Sequence, residues 1–493
     1  MARNNGNHSI QDHLLGDLQS ALGSPLDLVS RSLFVNEEQK VLCIYLESMA
    51  DTKTIDDYIL KSLMEHTFAE GETPGGKNGF LKELPFSCAY KEILDQTVHS
   101  LVTGHCVLVD FFSERVKLIK VTATEHRQID EPKAEATVRG PHEGFTENIQ
   151  INIGLLRKRI RNPRLRFDKM SIGSETGTTV LLVYMENLAP KPLVEEARKR
   201  LLSIRTDSVL ESAYIEEYIQ DRILSPFPTL SNTERPDVVA AQLLDGKVAV
   251  LVDGSSSALL APMTFFEFFN SPEDYYQRAD IASFIRLIRI VSFFTAVFVP
   301  SLYVAVTTFH QELIPTQLLI SLSAQREGVP FPALFEVLVM EVLFEIIREA
   351  GLRMPRAVGQ ALSIVGAIVL GQAAVEAGLI SAAIVIVVSI TGITNFVVPV
   401  YSFGMTQRLL RFTFVLLAGF MGLFGIMCGA LLLAAHLVSL HSFGVPYMTL
   451  AAPFQRSDWK DLLVRAPMPW MNPDRLPGFT RILKKTRQPG GKP

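Results

Sequence analysis

From about Ile290 to Leu440 the chain is almost continuously apolar, after nearly three hundred residues of mixed, soluble-looking sequence, and this block limits the fold more than any other feature. The runs 290–309 and 379–400 each supply the roughly 20 apolar residues that a helix rising about 1.5 Å per residue needs to cross hydrocarbon. Each holds one proline and no charge. A membrane span tolerates proline because neighbouring helices can satisfy the freed carbonyl. Apolar runs at 290–309, 333–352, 358–377, 379–400 and 412–440 predict about five spans, while 315–328 (PTQLLISLSAQREG) is too polar to span and is expected in the interface.

Parity conflicts with charge in that count. Five crossings would carry the tail to the side opposite the N-terminal part. Yet the tail holds Lys460, Arg465, Arg475, Arg481, Lys484, Lys485, Arg487 and Lys492, which favour the cytoplasmic side, as do Arg286 and Arg289 before the first run. One run is therefore expected to be re-entrant or interfacial. The N-terminus shows no basic-then-apolar pattern, so the soluble part is expected on the cytoplasmic side.

Carboxylates inside the block are the candidate functional groups, because a charge near the bilayer centre costs on the order of 3 kcal/mol. Glu341, Glu345 and Glu349 fall four apart, about 40° from one another on a helix, while Glu336 points away. Arg348 and Arg353 stand within helix-surface reach of Glu345 and Glu349. The stripe reads either as a salt-bridged packing seam or as the lining of a cation-attracting vestibule. In the third run Gly359, Ser363, Ala367 and Gly371 recur every fourth residue, with Gln372 and Glu376 sharing a face near one end. Small residues at this spacing allow close helix packing, and an apolar constriction with an acidic end also suits a narrow cation pore. Gly419, Gly422, Gly425 and Gly429 read mainly as a packing ridge.

The first 290 residues contain an internal repeat. Val41 to Ala50 (VLCIYLESMA) and Val180 to Ala189 (VLLVYMENLA) agree at five of ten positions, and VLVD recurs at 107–110 and 250–253 at nearly the same offset. Each copy reads as strand, helix, helix and hairpin. The fold class is therefore an α/β region of two similar subdomains followed by an all-α multi-pass membrane domain. The expected division is a polar lead-in 1–35, subdomains 36–170 and 171–280, a membrane domain 281–445 and a basic tail 446–493.

Between the copies, 155–167 (LLRKRIRNPRLRF) carries Arg157, Lys158, Arg159, Arg161, Arg164 and Arg166; the first of these spread around a helix and form no single face, so the stretch suits either acid pairing or contact with an anionic lipid or phosphate. Gly71 to Asn78 (GETPGGKN) mimics a phosphate loop, but ends in Asn where Ser or Thr must hold magnesium and follows a helical run. Cys43, Cys88, Cys106 and Cys428 have no CxxC spacing and suit reduced thiols. No catalytic motif, metal-ligand pattern or cofactor signature is present, and a net charge of −4 gives no reason to expect nucleic acid.

The segments 138–163 (VRGPHEGFTENIQINIGLLRKRIRNP), 234–254 (ERPDVVAAQLLDGKVAVLVDG), 271–278 (SPEDYYQR) and 348–379 together resemble the GerA family of spore germination proteins, and specifically its A-type subunits of nutrient germinant receptors. The resemblance runs from about Val41 to Arg465 and extends to the paralogous stage V sporulation protein AF. It implies a cytoplasm-facing region of two similar subdomains and a multi-pass domain in the spore inner membrane. A permease-like B subunit and a lipoprotein C subunit are the implied partners, alongside membrane lipid. It further implies a homo-oligomer, a pentamer, acting as a nutrient-gated ion channel that releases monovalent cations. A secondary transporter using the Glu stripe, and a clustering scaffold, are the competing readings of the residues.

Overall fold

Val, Ile, Leu and Tyr fill the runs Lys40–Leu46, His105–Asp110, Thr178–Met185 and Val248–Val252, and branched and aromatic side chains of this kind pack well on a pleated surface. The computed structural model describes residues 4–23, 25–34, 40–61, 82–85, 88–110, 115–121, 131–132, 135, 139–353, 371–449 and 464–470. They form two compact units. The first holds both sheets; the second runs from Met263 and takes in Asp221–Ser231.

In the first unit α1 (Asn4–Leu22) precedes β1 (Leu28–Phe34) and β2 (Lys40–Leu46), and then come β3 (Lys82–Pro85), α2 (Tyr90–Val102), β4 (His105–Asp110) and β5 (Arg115–Lys120). α3 (Ile149–Arg159) leads to β6 (Leu165–Ile172), β7 (Thr178–Met185), α4 (Lys191–Ser203), α5 (Ser212–Ile219), β8 (Ser231–Thr233), α6 (Pro236–Leu244), β9 (Val248–Val252) and β10 (Ala258–Ala261). The two five-stranded sheets have the orders β1-β2-β4-β5-β3 and β6-β7-β9-β10-β8, one topology used twice. The repeat is therefore structural. Each copy also has a leading strand and a short edge strand that the sequence pattern did not reveal.

The VLVD match is displaced by one residue. Val41 faces Asp110, whereas its counterpart Val180 faces Val252, so Asp253 lies one step beyond the position equivalent to Asp110. A one-residue shift exchanges the two faces of a strand, and normally the hydrophobic pattern forbids it. Here both faces are covered. Leu42, Ile44, Val107 and Val109 enter one core while Val41, Cys43, Cys106 and Leu108 enter another, so residue type does not set the register. Within the latter core Cys43 Sγ and Cys106 Sγ touch at 3.3 Å as free thiols.

The basic connector is paired with acids. Arg157 makes a bidentate contact to Asp27, Nε to Oδ2 and Nη2 to Oδ1 at 3.0 Å each, with both side chains 1% exposed. Ser48 donates to the same carboxylate. Lys158 and Arg159 both reach Glu143, at 2.9 and 2.8 Å, and Arg166 pairs with Glu186 at 2.6 Å. Acid pairing thus accounts for four of the basic side chains. The GETPGGKN segment lies outside the described residues.

The second unit is helical: α7 (Ala279–Thr308), α8 (Thr316–Arg326), α9 (Ala333–Arg353), α10 (Gly371–Glu376), α11 (Ala382–Asn395) and α12 (Tyr401–Ser439). Among the described residues, α7 and α12 are long and apolar enough to cross a membrane, and α11 is apolar but shorter. α12 is not one rod. Gly422 has φ 61° and ψ −143°, and a methyl group built on Gly429 would stand 2.7 Å from Leu417 Cδ1 and 2.9 Å from Phe414 Cε1. Residues 12 to 15 apart in a continuous helix lie roughly 18–22 Å apart. The helix therefore folds back at Gly422 into two antiparallel arms, 401–421 and 423–439.

Side-chain contacts order the helices within this unit. At one end Phe227 packs on both Phe403 and His436, with ring centroids 6.4 and 6.1 Å apart, and Phe293 stacks on Phe403 at 4.9 Å. At the other end Gly422 meets Phe309, Gly419 meets Leu334, and Ser381 N donates to Glu336 Oε2 at 3.0 Å. α7 thus runs from the first end to the second, α9 and α11 run back, and the α12 arms go out and return. Arg465 N donates to Ser283 Oγ at 3.0 Å, and its Nη1 donates to Gln277 O at 2.8 Å, so segment 464–470 docks beside the start of α7. Arg286 and Arg289 are buried on Asp274 of the SPEDYYQR segment, at 3.2 and 2.8 Å.

Candidate functional site

α9 carries its carboxylates at helical spacing, and the bundle gives them different surroundings. Glu341 and Glu345 turn toward the first arm of α12, where a single cation meets both: Arg411 Nη2 stands 2.7 Å from Glu341 Oε2 and 3.0 Å from Glu345 Oε1. Arg411 is 1% exposed and Glu341 0%. The contact to Glu341 is short but lies off the N–H direction, so neither Glu341 oxygen has an aligned donor among the described residues. We read it as a charge contact, and the bond from Arg411 to Glu345 as an aligned hydrogen bond. Arg348 adds a further pair to Glu345 from one helical turn away.

Glu349 is exposed and pairs with Arg353 at 2.8 Å. Glu336 is buried at the opposite end of the bundle between Ser381 and Arg326 Nε, the latter 3.5 Å away. Helical spacing thus separates Glu336 from the others and supplies both local Arg partners. It misses Arg411. A basic residue 66 positions from Glu345 has no local pattern to join the two. An arginine in an apolar context is nonetheless itself a signal that an acidic partner must exist.

Gln372 Nε2 donates to Glu376 Oε1 at 2.9 Å on the exposed face of α10. Gly371 is buried, and a methyl group there would make ordinary contact with Val385 at 3.6 Å. Ser363 and Ala367 lie outside the described residues, so the stripe of small residues is represented by Gly371 alone. Among the described residues no group of three or more His, Cys, Asp or Glu side chains is placed to hold a metal ion.

Chemically, the arrangement can hold charge inside an apolar bundle. Breaking a buried pair by deleting one member leaves the other charge uncompensated, at a cost of about 3–5 kcal/mol. Arg411 thus ties α9 to α12, and Glu345 joins it to Arg348.

The chain matches the family described as Bacillus/Clostridium GerA spore germination protein over residues 16–475. It is 42% identical over 477 residues to spore germination protein KA of Bacillus subtilis (strain 168), covering 96% of this chain and 87% of that protein. To spore germination protein GerLA of Bacillus cereus it is 39% identical over 458 residues, 92% of each chain. It is also 41% identical to a Bacillus subtilis (strain 168) protein described as the uncharacterized membrane protein YfkQ, over 88% of this chain and 84% of that one. Among solved structures, the N-terminal domain of the A subunit of the Bacillus megaterium spore germinant receptor GerK3 is 30% identical, covering 51% of this chain and 94% of its own with a TM-score of 0.36. On the family match over residues 16–475 and the identity to these full-length relatives, the chain belongs to the GerA family of spore germination proteins.

Proposed function

We propose that this chain is the A-type subunit of a nutrient germinant receptor, seated in the spore inner membrane with its sheet subdomains on the cytoplasmic side. The observation that carries this reading is the family match across residues 16–475, joined by relatives that are themselves spore germination proteins. Its partners in that role are a permease-like B subunit and a lipoprotein C subunit. No enzymatic step belongs to it.

The membrane topology we propose has six passes: α7, α9, the apolar run 358–377, α11, and the two arms of α12. An even number returns the tail to the starting side. The docking of Arg465 beside Ser283 supports this, and it removes the conflict between tail charge and parity without a re-entrant run.

Copies of the chain assemble, as a pentamer, around a cation path. The third run with Gly371, Gln372 and Glu376 is the candidate lining, because small residues permit a narrow bore and a carboxylate at its end attracts cations. Glu341, Glu345 and Arg411 hold α9 to the first arm of α12. Nutrient binding opens the path only through a higher affinity for the open state. The test is reconstitution in liposomes with and without the B and C partners, reading K⁺ efflux when candidate nutrients are added. We expect efflux only with all three subunits and nutrient; no flux under any combination overturns the channel reading.

A further inference from the structure

Charges in the helical unit do not balance around α9 and the first arm of α12. Arg348 and Arg411 meet on Glu345, and Arg408 stands one helical turn before Arg411 on the same arm. Two carboxylates, Glu341 and Glu345, serve Arg411 and Arg348. Arg408 has none among the described residues. It is 8% exposed, its Nη1 touches Met405 Sδ at 2.8 Å, and it lies 5.8 Å over the ring of Tyr401. Among the described residues, buried donors are left without acceptors on all three guanidinium groups: Nε of Arg408 and Arg411, and Nε with Nη1 of Arg348.

An excess guanidinium with unmet donors calls for an anion, and its depth says which kind. Arg408 stands seven residues past the start of α12 at Tyr401, about 10 Å of helix rise. Arg348 stands five residues before the end of α9 at Arg353, about 8 Å. Arginine side chains at that depth extend toward the polar boundary. Tyr401 marks the same boundary, being 59% exposed as aromatic rings at membrane interfaces are. Above it, Leu409 and Phe420 on the same arm are 60% and 74% exposed, an apolar face at acyl-chain level.

We propose that Arg408 and Arg348 form a binding site for the phosphate of an anionic phospholipid headgroup in the leaflet on the Tyr401 side. This rests on the membrane placement of the helical unit. On binding, the two guanidinium groups turn out toward the headgroup, so that the phosphate accepts from donors that are buried and unmet in the free chain, and the acyl chains lie along the exposed face of α12. Planar guanidinium donors suit phosphate oxygens, which accept two at once.

The test uses the full chain in nanodiscs of phosphatidylcholine with or without one-quarter phosphatidylglycerol, counting lipids retained on release into native mass spectrometry. Wild type should keep phosphatidylglycerol over phosphatidylcholine. Arg408→Gln and Arg348→Gln should each reduce that preference about fivefold, the effect expected for one basic residue at a charged membrane surface. Arg408→Lys should restore part of it, and Arg353→Gln, which removes an exposed paired charge, should leave it intact. Phosphatidylglycerol preference unchanged in both glutamine variants overturns the site, and so does equal competition by inorganic phosphate, which would mark a free-anion site. A chain that fails to enter discs at all refutes the membrane placement, an outcome distinct from insertion without lipid preference.

Discussion

Arg411 and Glu341 meet at 2.7 Å with at most 2% of either side chain exposed, an ion pair between helices 70 positions apart in the chain. Arg411 also serves Glu345, which keeps Arg348, so removing Arg411 strands Glu341 in the interior while removing Glu341 leaves Arg411 paired with Glu345. Arg411→Ala should therefore destabilise the chain by about 3–5 kcal/mol, and Glu341→Gln by clearly less. Detergent-solubilised thermal melts check the order. Equal losses would mean that Arg411 does not bridge the two.

Gly422 holds a backbone conformation that side chains resist, with φ 61° and ψ −143°, while Phe309 Cβ stands only 3.0 Å from the place a methyl group would take. Backbone strain of this kind costs about 1–3 kcal/mol, and asparagine does not relieve it because ψ lies outside its left-handed region. Gly422→Ala and Gly422→Asn should both loosen the hairpin. A cysteine placed at Val464 reports the consequence: in wild type it should be labelled from the same side as one placed at Ile281, and protection or labelling from the opposite side would break the six-pass topology.

Asp27 ties the polar lead-in to α3 through Arg157 and also accepts from Ser48. Asp27→Asn or Arg157→Met alone should cost about 3–5 kcal/mol, because each leaves a buried charge unpaired. Together they should cost less than the sum. A double-mutant cycle read by chemical denaturation would show additive losses if the two groups act independently.

Glu135 accepts from Thr233 Oγ1 at 2.9 Å, and burial pushes its carboxyl up to about 7. The folded chain then keeps a proton that the unfolded chain releases near the ordinary carboxylate value. Stability should consequently fall as pH rises from about 4.5 to about 7 and level off above that. Glu135→Gln should flatten this slope and melt higher than wild type at pH 8. An unchanged slope in melts across that range would exclude Glu135 as its source.

Much of the architecture was readable along the chain. Local periodicity marked the hairpin strands and the pairs Glu345–Arg348 and Glu349–Arg353, since residues three or four apart on a helix are neighbours whatever surrounds them. The duplicated subdomains showed through Val41–Ala50 and Val180–Ala189. Strand register did not, because strands buried on both faces carry apolar residues at every position and lose the alternation that would fix it.

The apolar block by itself determined that this chain has an apolar helical unit with carboxylates that need partners, because hydropathy and charge are properties of each residue taken alone. Only the tertiary structure decided which partner each carboxylate has and where the last apolar run turns. Arg411 reaches Glu341 through a bundle, a contact between segments too distant in the chain for any local pattern to join. Gly422 reverses α12 through one pair of dihedral angles, although along the chain it is one more small residue in a packing ridge.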